Sequence, residues 1–153
     1  MGSRIARTAR GEVRLLLPAG ERELLRTVAE DLGELLHEDV ENPSLRRLFP
    51  PAHDDPELER EYRDLTRTEL LRGRTQALEV LRTTIDRDVL TPDEADAWLR
   101  ALNDLRLVLG TRLGVTENLD WDAVDETHPE AHALAVYGYL SWLQEELVAA
   151  SRA

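Results

Sequence analysis

Thr91-Pro92-Asp93-Glu94, followed by a stretch that is apolar on most sides, constrains this chain more than any other feature. A threonine side chain there can accept from the backbone N–H three residues on. The glutamate can return the bond, and proline suits the first helical position. The spacing predicts a helix over 92–109, ended or bent near Gly110. Ala95, Trp98, Leu102, Leu105 and Leu109 form its core face, while Leu107 and Val108 lie on other faces. A helix apolar much of the way round must be surrounded by other elements.

The rest of the chain supplies them. Leu24, Leu25, Val28, Leu32, Leu35 and Leu36 fall within one arc and predict an amphipathic helix over 21–39. Residues 40–56 carry four prolines and read as an irregular connector, pinned to the core by Leu45, Leu48 and Phe49. Asp55-Pro56 is a good helix start. The helix it opens reaches about Asp86, with a kink or break expected at Gly73, where the apolar arc changes side. Thr127 caps a last helix, with His128-Pro129-Glu130 as its first turn, running to about Ala149. Its core stripe is Ala133, Val136, Tyr137, Leu140, Leu143 and Leu147. Ahead of all these, Ile5, Val13, Leu15 and Leu17 alternate with polar residues around Ala9-Arg10-Gly11-Glu12, which predicts a β-hairpin over 1–17. The expected fold is mainly α: one domain over 1–153, with a bundle of four main helices over 21–150 and a small N-terminal hairpin.

Composition narrows the chemistry. With 42% apolar and 33% charged residues the chain is too hydrophobic and too patterned for disorder. No apolar run approaches the roughly 18 residues of a membrane helix, and no signal-peptide pattern is visible. Cysteine is absent, which excludes disulfides, thiolate metal sites and thiol redox switching within this sequence. All 19 basic residues are arginine, and they stand against 31 acids for a net charge of −12. A strongly acidic protein repels nucleic acid unless it segregates a basic patch. Residues 1–17 hold four arginines and one acid, so Arg4, Arg7, Arg10 and Arg14 are the candidate nucleic-acid contacts.

Several side-chain clusters admit a chemical reading and a plainer one. His128 and His132 share a helix face at the spacing a zinc site uses, and Glu126 or Glu130 could supply a third ligand, but there is no second His pair or cysteine, and a helix-start His128 with a solvated His132 is the better reading. His53-Asp54-Asp55 resembles a catalytic pair only superficially, because Asp55 already serves as a cap. Asp122, Asp125 and Glu126 lack the glycine and the periodic acids of a calcium loop. A lysine-free chain has no P-loop, and no Gly-x-Ser-x-Gly elbow is present. The expectation is therefore no catalytic residues, no metal and no cofactor. Arginines at 60, 63, 67, 72 and 74 alternate with acids, and pairs such as Glu59–Arg63 and Arg60–Asp64 explain them as a solvated ion-pair face.

Two outliers remain. Arg106 falls inside the apolar arc of its helix and needs a partner, with Asp104 and Glu69 as candidates for a structural ion pair. The other reading is an arginine that binds an anion or a partner at a cleft. Tyr139 and Trp142 point off the core stripe of the last helix. They form either a second packing surface, against the hairpin, or a binding hot spot.

Three stretches carry a resemblance. The first is Arg47-Leu48-Phe49-Pro50 with Asp55-Pro56 and Glu61-Tyr62-Arg63. The second runs from Ala97-Trp98-Leu99-Arg100 through Asn103-Asp104-Leu105-Arg106 to Gly110-Thr111-Arg112-Leu113-Gly114. The third is Tyr137 and the run from Trp142-Leu143-Gln144 to Leu147-Val148. In this order, over nearly the whole chain, they resemble the AosR-like actinobacterial domain-of-unknown-function family of oxidative-stress regulators. The resemblance implies a cytoplasmic transcriptional regulator that works with an alternative sigma factor. Its genes commonly neighbour that of the Clp adaptor ClpS. The mechanism proposed for the family uses a cysteine pair as redox sensor, and a chain without cysteine cannot inherit it. The resemblance offers no catalytic residues to transfer.

The resulting expectation is a regulatory interaction module that contacts the transcription or Clp machinery through Arg100, Asp104, Arg112, Tyr139 and Trp142. Binding of DNA by the basic arm is the alternative, and a homodimer is compatible with leftover apolar helix faces.

Overall fold

A computed structural model describes residues 3–39, 41–49, 54–114, 127 and 129–152; within these, the side chains at 63–65 and 67 are outside the description. The described residues are mainly helical, with a small antiparallel sheet. The helices are α1 (Ala19–Glu38), α2 (Pro56–Thr84), α3 (Pro92–Leu113) and α4 (Ala131–Arg152), and a short 3-10 turn covers Pro43–Leu45.

The centre is α3, which packs against α1, α2 and α4. Its start is built as its sequence requires. The Glu94 backbone N–H donates to Thr91 Oγ1 at 3.2 Å, and the Thr91 N–H donates to Glu94 Oε1 at 2.9 Å. Arg87 adds an ion pair to the other oxygen of Glu94 at 2.6 Å. Trp98, Ala101 and Leu102 are fully buried, and Ala95, Leu105 and Val108 nearly so. The expected end near Gly110 is wrong. The helix continues to Leu113, and Gly114, at φ +68°, supplies the left-handed cap. Gly110 answers a different need: a Cβ there would stand 3.0 Å from the Tyr137 ring and 3.3 Å from Arg47 Nη1. The glycine lets α4 come close.

The break expected at Gly73 is also absent, because α2 runs unbroken through it. A Cβ at Gly73 would meet nothing within 4 Å, so this glycine marks no tight contact. Beyond it, Ala77, Leu78, Leu81 and Ile85 bury against α3. Asp55 caps α2, accepting from the Glu57 N–H at 2.8 Å. The last helix begins at Ala131, after the turn that Pro129 and Glu130 occupy, and not with the expected 128–130 turn. Its first bond runs from the Leu134 N–H to the Glu130 carbonyl at 2.9 Å.

The expected hairpin exists, and a third strand joins it. β1 (Ile5–Arg7) pairs antiparallel with β2 (Val13–Leu15), with Ile5 opposite Leu15. Gly11, at φ +79°, makes the turn. A third strand, β3 (Val89–Leu90), adds to β2 in the register Val13 to Leu90. Ile5, Val13, Leu15 and Leu90 all face the core. Arg22 locks this sheet to the helices: its Nε donates to the Leu17 carbonyl at 2.9 Å, and its Nη1 donates to those of Ile85 and Arg87 at 2.7 Å. No helix among the described residues is long and apolar enough to cross a membrane.

Candidate functional site

The residues singled out from the sequence do not form one surface. Arg100 is exposed on α3, beside Gly73 and Asp93, facing α2. Asp104 is not on a surface at all: it is 2% exposed. Its Oδ1 accepts from Arg74 Nη1 of α2, while Arg74 Nη2 donates to the Leu48 carbonyl at 3.0 Å and the guanidinium lies 5.7 Å over the Phe49 ring. Burial pushes the Asp104 carboxyl above its ordinary value, and the Arg74 charge and hydrogen bond oppose that rise.

This pair corrects the expected partner of Arg106. Asp104 belongs to Arg74, and Glu69 pairs with Arg72 at 3.2 Å. Arg106 instead donates to Asn103 Oδ1 at 3.2 Å.

Tyr139 and Trp142 lie on α4, which also packs on β1. Both are half-buried against the core, with ring centroids 6.1 Å apart. The Tyr139 hydroxyl is buried and has no hydrogen-bond partner of ordinary geometry. Its burial, helped by the Glu21 carboxylate and opposed by Arg4, drives its ionisation far upward. Arg4 itself is committed to Glu21, at 3.0 Å. Of the four arginines proposed for nucleic acid, Arg7, Arg10 and Arg14 are exposed and Arg4 is half-buried in this contact.

Arg112 leads to a feature no sequence signal marked. It stands on the rim of an apolar groove between α1, α3 and α4. Val28, Leu32 and Leu35 line the α1 side, at the three- and four-residue spacing of one helix face. Leu105, Val108 and Leu109 line the α3 side, and Leu140 of α4 closes the floor. Leu32, Leu105, Val108 and Leu140 are buried, whereas Val28, Leu35 and Leu109 are only partly covered. Asp31 and Arg112 are its two charged residues. Its cavity volume of about 120 Å³ is well below the roughly 300–1,000 Å³ of a typical small-molecule pocket.

His132 is exposed on α4, and His128 lies outside the described residues, as do His53, Asp122, Asp125 and Glu126. The pairs Glu59–Arg63 and Arg60–Asp64 also involve side chains outside the description. Among the described residues no group of three or more His, Cys, Asp or Glu side chains is placed to hold a metal.

The family described as a domain of unknown function, DUF2017, matches residues 3–151. Proteins named "Oxidative stress regulator AosR" from Mycobacterium tuberculosis and Mycobacterium bovis are each 33% identical to this chain over 125 residues. The alignment covers 70% of this chain and 57% of theirs, so the chain spans a little over half the length of these relatives. No solved structure matches the chain.

Proposed function

The chain belongs to the DUF2017 family and is AosR-like, and from that premise we propose that it is a non-enzymatic regulatory module acting in the cytoplasm by protein contact. The observation that carries this reading is the groove of α1, α3 and α4, apolar on its floor and charged at its rim. It suits an amphipathic helix that lays apolar residues at i, i+3/i+4 and i+7 between Leu35 and Leu109. A carboxylate on that helix would meet Arg112, and a basic residue would meet Asp31. The partner proposed is a sigma factor or RNA polymerase, in keeping with the regulator names of the relatives. The given sequence has no cysteine, so this reading uses no thiol switch within it.

The test is capture of a sigma factor or RNA polymerase from native lysate by the full chain, with Leu109→Ser and Arg112→Glu beside it. Thermal melting checks that both variants fold. Recovery by the wild type alone is expected. Equal recovery by all three removes the groove from the contact, and loss in a further variant, Trp142→Ala, would then move it to the hairpin side of α4. Recovery of Clp components in place of transcription proteins would replace the proposed partner. Duplex binding that falls steeply with salt, and disappears when residues 1–14 are removed, would favour the DNA-binding reading.

A further inference from the structure

We propose that the cleft between α3 and α4 bounded by Arg106 and Arg152 binds a small oxyanion such as phosphate. Arg106 stands inside the apolar arc of α3, half-buried, with its Nε covered and without a hydrogen-bond partner. Its one hydrogen bond among the described residues goes to the neutral Asn103. Other half-buried arginines of this protein are matched by carboxylates: Arg4 by Glu21, Arg26 by Asp86 and Arg74 by Asp104. A guanidinium taken partly out of water gains most from a charged acceptor, and its planar fork suits an oxyanion.

Across the cleft, α4 presents Ser141, Gln144 and Arg152. They lie along one helix stripe, at steps of three and then eight residues. Two arginines, a serine and a glutamine thus line one open space of about 420 Å³, ample for phosphate or a small carboxylate. Glu145 is the acidic member of the lining and is exposed. It competes with any anion entering the cleft, so it tunes affinity downward. The site is separate from the α1–α3–α4 groove, with which it shares no lining residue.

The test follows the arginine Nε–H resonances of the full chain during a phosphate titration, with chloride holding ionic strength constant. Saturable shifts at Arg106 and Arg152 are expected. Arg106→Gln should weaken binding about tenfold or more, the loss of one charge-assisted bond. Arg152→Gln, in the exposed last turn where folding is not at stake, should weaken it several-fold. Glu145→Gln should tighten it, an effect no structural role of Glu145 would produce. A parallel titration with citrate separates the sources: saturation at the same arginines assigns the site to carboxylates as well as phosphate. Shifts that fail to saturate with either anion overturn the proposal. So does an affinity unchanged in both Arg152→Gln and Glu145→Gln.

Discussion

The indole Nε1–H of Trp98 donates to the Thr84 hydroxyl at 2.7 Å, and that hydroxyl donates in turn to the Val80 carbonyl at 2.6 Å. Trp98 is fully buried and Thr84 nearly so. The relay satisfies the only polar atom of the largest core side chain and ties α3 to the last turn of α2. Thr84→Val keeps the shape and removes the acceptor, leaving a buried N–H unpaired. It should cost about 1–3 kcal/mol in urea unfolding, while Thr84→Ser, which keeps the hydroxyl, should cost less. Equal losses from both variants would show that the methyl group and not the relay matters.

Arg74 and Asp104 make a second tie between the same helices. Arg74→Met leaves the Asp104 carboxylate buried beside an apolar side chain, and should destabilise by about 3 kcal/mol. If the loss is under about half of that, the partly exposed Arg74 was already screened by water.

The same pair has a pH signature. The folded state holds the Asp104 proton more tightly than the unfolded chain does, because its carboxyl is raised by burial. Its contribution to stability is therefore greatest in acid and declines as pH climbs from the ordinary carboxylate value through the raised one. Asp104→Asn does not titrate. The stability difference between wild type and this variant should shrink from pH 4 toward pH 7, measured by urea unfolding. A difference that grows with pH would mean that pairing with Arg74 outweighs burial.

Two helical glycines offer a matched comparison. Gly73→Ala meets no neighbour within 4 Å and should stabilise by about 0.5–1 kcal/mol through helix propensity. Gly110→Ala gains the same propensity but sets its Cβ 3.0 Å from the Tyr137 ring. Crowding of about 1–3 kcal/mol should cancel or reverse that gain. Thermal melting of the two variants should move the midpoint in opposite directions, or leave it unmoved for Gly110→Ala.

The elements that the sequence displayed most openly are those set by local chemistry. The Thr91–Glu94 capping box, the Asp55 cap and the hairpin turn at Gly11 each need only a few adjacent residues, and each stands where expected. β3 was illegible because two residues carry no period, and only the β2 edge makes them a strand. Glycine was misread twice for one reason. Its propensity is local, but whether it ends a helix or admits a neighbour depends on what lies beside it. The candidate residues on α3 part company on the same distinction. Arg100, Asp104 and Arg112 follow one another on α3, yet α2 faces the first, encloses the second, and α1 shares a groove with the third. The partners of a charged side chain belong to the tertiary structure, which is why Asp104 and Glu69 are the candidates the sequence offers for Arg106, while Arg106 bonds Asn103.

The pairing of Val13 with Leu90 spans the whole of α1 and α2. Helices form on local contacts within microseconds, but a strand pair this distant must first close a very long loop, whose entropy is repaid only when the ends meet. Closure of this strand pair is therefore expected to follow helix formation. The sheet works as a clasp, snapped shut after the helices have brought its halves within reach, and native-state hydrogen exchange at Val13 and Leu90 reports whether the clasp is fastened.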